Sequence, residues 1–154
     1  LDVKQHERGV VRALCALLRR LGREETTTLA SFSGRMVHLA RTVGYRGPTA
    51  LVHHEVVALV LAPAAAARLV RDGGCRRRAQ IPVRVGPLEL GSRAFIDKCH
   101  AFGVAVDFWT VDAPDEAARL LDHGADGIMS NAPGGLAALF ATRRGAGTVD
   151  AAQR

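Results

Sequence analysis

The chain has 154 residues, 48% apolar and 23% charged, which is enough to bury one sizeable core and excludes a disordered polar segment. Its formal charge is +6, but the basic residues are scattered and aromatics make up only 5%, so nucleic acid is not an expected partner. The longest apolar run, 56–67, is too short to span a bilayer and contains Pro63, so no integral membrane segment is expected.

Three cysteines, Cys15, Cys75 and Cys99, show neither metal-ligand spacing nor an even count, and no secretory h-region opens the chain. A reducing, cytoplasmic setting is the expectation. The basic residues divide into 19 Arg and two Lys, Lys4 and Lys98. Guanidinium and ammonium groups do different chemistry, so each Lys in so Arg-biased a chain invites a question.

In chain order, strand-like runs alternate with helical patterns. LDVK opens the chain, and Val10, Val11, Leu14, Leu17, Leu18 and Leu21 then repeat at helical spacing as far as Gly22. TTLASF reads as a second strand, followed by a helix that Ser33 can cap and Gly44 can end. PTALVHH is a third, placing His53-His54-Glu55 at a strand end. The run Cys75-Arg76-Arg77-Arg78 after Gly73-Gly74 reads as a solvated loop. QIPVRV is a fourth strand, and Ser92 can cap a helix running to about Gly103. VAVDFWTV is a fifth, after which Asp112 can cap a helix with Pro114, Asp115 and Glu116 in its first turn and Gly124 at its end. DGIMSN is the sixth; a closing helix follows from Gly135 through Phe140, and 143–154 reads as a flexible tail.

Strict β-then-α alternation calls for parallel strands with crossover helices, in an open sheet or a barrel. A complete eight-unit barrel needs about 250 residues, more than this chain has. The chain begins within a strand and without Met, so the expectation is that a preceding segment is missing.

Alternate residues of a barrel strand point inward, and those near its C-terminal end line the site. On the first strand Asp2 and Lys4 share one parity, with Leu1 and Val3 turned toward the helices. A carboxylate beside an ammonium suits an anionic substrate held by a divalent cation; an interior salt bridge is the alternative. On the fifth strand Val104, Val106 and Phe108 belong under the helices, leaving Asp107 and the single tryptophan, Trp109, facing the lumen. The same parity turns Gln80, Pro82 and Arg84 inward, where Arg84 could neutralise Asp107. His6-Glu7-Arg8-Gly9 reads as a solvated first turn, His100 as structural, and His53 and His54 lack a third ligand at metal spacing. Ser31 has no nearby base, so a Ser-His-Asp hydrolase is not supported.

The segments LDVK, TLASF, QIPVRVGPLEL and HAFGVAVDFWTVDAPDEAARLLDHGADGIMSNAP together resemble the glycerophosphodiester phosphodiesterase family. That family is a TIM-type barrel carrying Glu-x-Lys, Ser-Phe, Trp-Thr-Val-Asn/Asp and Asp-Gly-Ile-x-Thr-Asp-x-Pro in order. The corresponding residues here are Asp2 and Lys4, Ser31 and Phe32, Trp109 through Asp112, and Asp126 through Pro133. The resemblance implies an α/β fold of about six of eight barrel units, the first two missing, over residues 1–142. It also implies hydrolysis of a glycerophosphodiester or related lysolipid with Ca²⁺ or Mg²⁺. Asp2 falls on the metal-binding carboxylate, Lys4 on the phosphate-contacting lysine, and Phe32 and Trp109 on pocket aromatics. Asp replaces the commoner Glu at Asp2, and Ser130-Asn131 stands where Thr-Asp is usual.

The family's opening His-Arg-Gly strand, its Glu-x-Asp strand and the following His-Asp would all precede Leu1, so no acid or base residue is assigned within the chain. Activity is therefore expected of a longer protein, with these residues alone inactive. The alternative is a non-catalytic truncated barrel, an anion-binding or assembly module that self-associates through open strand edges.

Overall fold

The computed structural model describes residues 1–63, 65–66 and 77–151, the stretch 144–151 as backbone only. Twelve elements follow in order: α1 (Arg8–Arg20), α2 (Gly34–Thr42), β1 (Thr49–Ala50), α3 (His53–Leu61), β2 (Arg77–Ile81), β3 (Arg84–Val85), β4 (Leu88–Glu89), α4 (Arg93–Ala101), β5 (Val104–Phe108), α5 (Pro114–Asp122), β6 (Gly127–Ile128) and α6 (Pro133–Ala151). They form two compact units, one of Leu1–Gln80 with Asp97–Val106 and one of Ile81–Ile96 with Asp107–Arg154.

In the first unit every strand pairing is parallel. Asp2 bridges Ala30, Leu29 bridges Thr49, and β1 pairs with β2 at Thr49 to Arg77 and Ala50 to Arg78. β2 neighbours β5 in the sheet order. The segments LDVK and TTLASF thus join the ladder through single bridges rather than long strands. Helix α1 forms because its apolar residues recur at helical spacing, burying Val11, Cys15 and Leu18 on one face. These pack with Leu29, Met36, Ala40 and Tyr45 into the unit's core, with Val3 against its edge. Gly44 ends α2 at φ +79°, a left-handed conformation cheap only for glycine, and lets the Tyr45 amide reach back to the Ala40 carbonyl.

Tyr45 is 2% exposed, and its hydroxyl lies 2.5 Å from the Thr27 carbonyl and 3.0 Å from that of Glu24. Burial, then the neighbouring Cys15 and Glu24, pushes the phenol up to about 12.

In the second unit the end of β5 pairs with β6 in parallel, Asp107 to Gly127 and Phe108 to Ile128. Helix α5 opens with Pro114, Asp115 and Glu116, as the N-terminal rules favour, and buries Ala117 and Leu120. It ends at Gly124 with the Ala125 amide bonded to the Leu120 carbonyl. Helix α6 packs on α5 and continues through Ala151, into the segment read from sequence as a tail.

Three sequence expectations change. QIPVRV is not one strand: β2 stops at Ile81 before Pro82, and Arg84-Val85 instead forms a hairpin with Leu88-Glu89. His53 and His54 do not end a strand but open α3, whose residues are apolar on nearly every side and so give no amphipathic signal. Of the basic run, Cys75 and Arg76 lie outside the described residues, whereas Arg77 and Arg78 belong to β2 rather than a loop.

Candidate functional site

The first unit brings Asp2, Lys4 and Phe32 together at the C-terminal ends of two neighbouring strands. The Ala30 amide donates to the Leu1 carbonyl and the Val3 amide to the Ala30 carbonyl, which sets the register. Val3 packs on the core, so the residues on either side of it are turned away from that core. Leu1, expected under the helices with Val3, is exposed instead. The Lys4 ammonium lies 2.5 Å from an Asp2 carboxylate oxygen and 4.7 Å from the centroid of the Phe32 ring. Carboxylate, cation and aromatic face are thus one contiguous group.

The group is open to water. Side-chain exposure is 68% for Lys4 and 42% for Asp2, and Phe32 is 83% exposed. An ion pair so wet contributes at most about 1 kcal/mol, so it is not the interior salt bridge that sequence parity allowed. Phe32 thus presents its ring to solvent beside the Lys4 ammonium.

The donor set does not complete a divalent-cation site. Ca²⁺ and Mg²⁺ require roughly six or more oxygen ligands, and among the described residues no three His, Cys, Asp or Glu side chains converge. Asp2 offers a single carboxylate, already paired with Lys4.

Close by in sequence, Arg41 organises a polar cluster that the sequence did not reveal. Its guanidinium donates to Glu55 at 2.6 and 3.1 Å, to the Thr49 hydroxyl at 3.0 Å and to the Ala50 carbonyl at 3.1 Å. Glu55 also accepts the Val52 amide at 2.9 Å, satisfying an orphan donor of α3. Burial raises the Glu55 carboxyl, but the Arg41 hydrogen bonds and the Val52 amide outweigh it and hold the group below its ordinary value. His53 and His54 are exposed on the first turn of the same helix.

The second unit carries Trp109 and Asp112. Trp109 follows β5, is 37% exposed, and donates its backbone amide to the Ile81 carbonyl at 3.1 Å. Val104, Val106 and Phe108 are nearly fully buried. Arg84, expected beside Asp107, instead pairs with Glu89 across the hairpin at 2.5 Å. Asp107 is 5% exposed and engaged elsewhere.

Asp112 does not cap α5, whose N-cap is Ala113. One of its carboxylate oxygens accepts from the Ser130 hydroxyl at 2.7 Å and from the amides of Asn131 at 2.8 Å and Ala132 at 3.3 Å. The Ser130 bond first, then the two amides, holds the carboxyl below its ordinary range. Ser130 and Asn131 are the positions where the sequence motif departs from Thr-Asp, and Ser keeps the hydroxyl the contact needs.

A family model described as the glycerophosphoryl diester phosphodiesterase family matches residues 2–135. The chain belongs to this family. A Mycobacterium tuberculosis protein named "Probable glycerophosphodiester phosphodiesterase 2" is 39% identical over 64 residues, 42% of this chain and 23% of that protein. A crystal structure from Silicibacter pomeroyi DSS-3, assigned by name to the glycerophosphoryl diester phosphodiesterases, is similar in fold. It gives a TM-score of 0.59 at 23% identity, over 88% of this chain and 47% of that one. This glycerophosphoryl diester phosphodiesterase family member therefore spans less than half the length of either relative.

Proposed function

We propose that this chain carries part of the phosphodiester-binding surface of a glycerophosphodiester phosphodiesterase. The reading rests above all on the Lys4 ammonium held between the Asp2 carboxylate and the Phe32 ring at parallel strand ends. Lys4 contacts the phosphate: a compact ammonium is a mobile point charge, able to leave Asp2 for an incoming phosphate oxygen. Phe32 takes the apolar side of the glycerol moiety, and Trp109 is a second substrate-contacting aromatic in its own unit. Asp2 would supply one carboxylate ligand to Ca²⁺ or Mg²⁺.

The remaining metal ligands and the acid and base histidines belong, in this proposal, to sequence outside these 154 residues, as do two further βα units of a TIM-type barrel. No bond-breaking step is assigned to the residues described. The single carboxylate also favours a second reading, in which the chain binds the anion without turning it over.

The test is calorimetric titration with sn-glycerol 3-phosphate, paired with a hydrolysis assay on glycerophosphodiesters with added Ca²⁺ or Mg²⁺. Losing a charge-assisted bond costs about 1.5 kcal/mol or more, so Lys4→Ala weakens binding about tenfold. The chain alone gives no measurable turnover. Equal affinity for wild type and Lys4→Ala removes Lys4 from the site, and turnover abolished by Lys4→Ala would mean that the chemistry is complete here.

A further inference from the structure

We infer that Ser31 is a positioning residue for the Lys4–Phe32 group, the point at which a strand is converted into a pocket wall. The inference rests on the phosphodiester-binding reading of Lys4 and Phe32. In the parallel ladder the Ala30 amide bonds to the Leu1 carbonyl, and the Val3 amide to the Ala30 carbonyl. Were the ladder to continue, the Val3 carbonyl would take the next amide across, that of Phe32. The Ser31 hydroxyl stands in for that amide, donating to the Val3 carbonyl at 2.6 Å. The same oxygen accepts the Ser33 amide at 3.1 Å, turning the chain back directly after Phe32.

One hydroxyl thus closes the ladder, bends the backbone and lets the Phe32 ring stand out 83% exposed. The carbonyl it holds belongs to Val3, the residue between Asp2 and Lys4. The ion pair and the ring contact are too exposed and too weak to fix their own geometry. Placement of the ammonium over the ring must come from the backbones beneath, and Ser31 is the side chain that ties those two backbones together. Alanine removes the tie while leaving the strand bridges upstream of it. Threonine keeps the hydroxyl.

The experiment is NMR on the whole chain with selectively labelled lysine, reading the ring-current shift of the Lys4 side-chain methylene protons, followed by titration with sn-glycerol 3-phosphate. Wild type and Ser31→Thr show Lys4 shifted upfield by the Phe32 ring. Ser31→Ala loses that shift and binds the ligand several-fold more weakly, while Phe32→Leu defines the unshifted position. A ring-current shift that survives in Ser31→Ala overturns the inference. If the shift is lost in Ser31→Ala but wild type does not bind sn-glycerol 3-phosphate, the positioning role stands and the phosphodiester reading fails. A loss of shift in Ser31→Thr equal to that in Ser31→Ala also overturns it, since the hydroxyl would then not be the operative group.

Discussion

Replacing Arg41 by Met keeps most of the side-chain stem while removing four hydrogen bonds, two to Glu55 and one each to Thr49 and the Ala50 carbonyl. Breaking a fully buried ion pair costs about 3–5 kcal/mol, chiefly by stranding the remaining charge. Here the two side chains are 18% and 20% exposed, and Glu55 retains the Val52 amide, so partial solvation lowers the expected loss to about 2–3 kcal/mol. Urea unfolding followed by circular dichroism at pH 7 measures it directly.

The pH dependence supplies the sharper check. In wild type the Glu55 carboxyl is depressed, so its contribution is present above the unfolded-state value and is lost as pH falls through the folded one. Without Arg41, burial acts with less opposition and the depression weakens, which flattens the slope. The deficit of Arg41→Met should therefore shrink as pH is lowered from 7 toward 4. A loss below about 0.5 kcal/mol at pH 7, or a deficit independent of pH, would refute the account of this cluster.

Tyr45, with its phenol raised to about 12, contributes stability that is complete below pH 10 and lost as pH rises toward 12; alkaline unfolding of wild type against Tyr45→Phe should show that slope only in wild type. Replacing Asp112 by Ala should speed amide hydrogen exchange at Asn131 and Ala132 several-fold while leaving the centre of α5 unchanged, because Asp112 bonds the loop before α6 and not the start of α5. Exchange at α5 rising instead would restore the capping role.

Much of the fold was legible because its signals are local. Helix α1 declares itself through periodic apolar residues and Gly22, and α5 through Pro114, two acids and Gly124. The six strand-like runs all take part in pairing, though LDVK and TLASF contribute only single bridges, a length that depends on neighbours and not on composition. QIPVRV misled because its alternation is genuine; Pro82 and the Gly86-Pro87 turn divert it into a hairpin, and turn chemistry overrides periodicity. Asp2 and Lys4 were singled out by parity and motif and Phe32 by motif alone, and the structure places the three side chains next to one another. The Arg41 cluster and the Asp112 contact were not readable. Arg41 and Glu55 are 14 positions apart, Asp112 and Ser130 are 18 apart, and such separations leave no periodic trace.

The preference for Arg over Lys also has a practical side. With only two lysines, the chain presents few amines to an acylating reagent. Lys98 donates to the Val60 carbonyl at 2.8 Å. Of the two lysines, Lys4, 68% exposed and held by a wet carboxylate and the face of a ring, is poised to react first. A fluorophore or crosslinker delivered through ordinary amine chemistry would therefore mark the strand ends where Asp2 and Phe32 meet, with no engineered cysteine required.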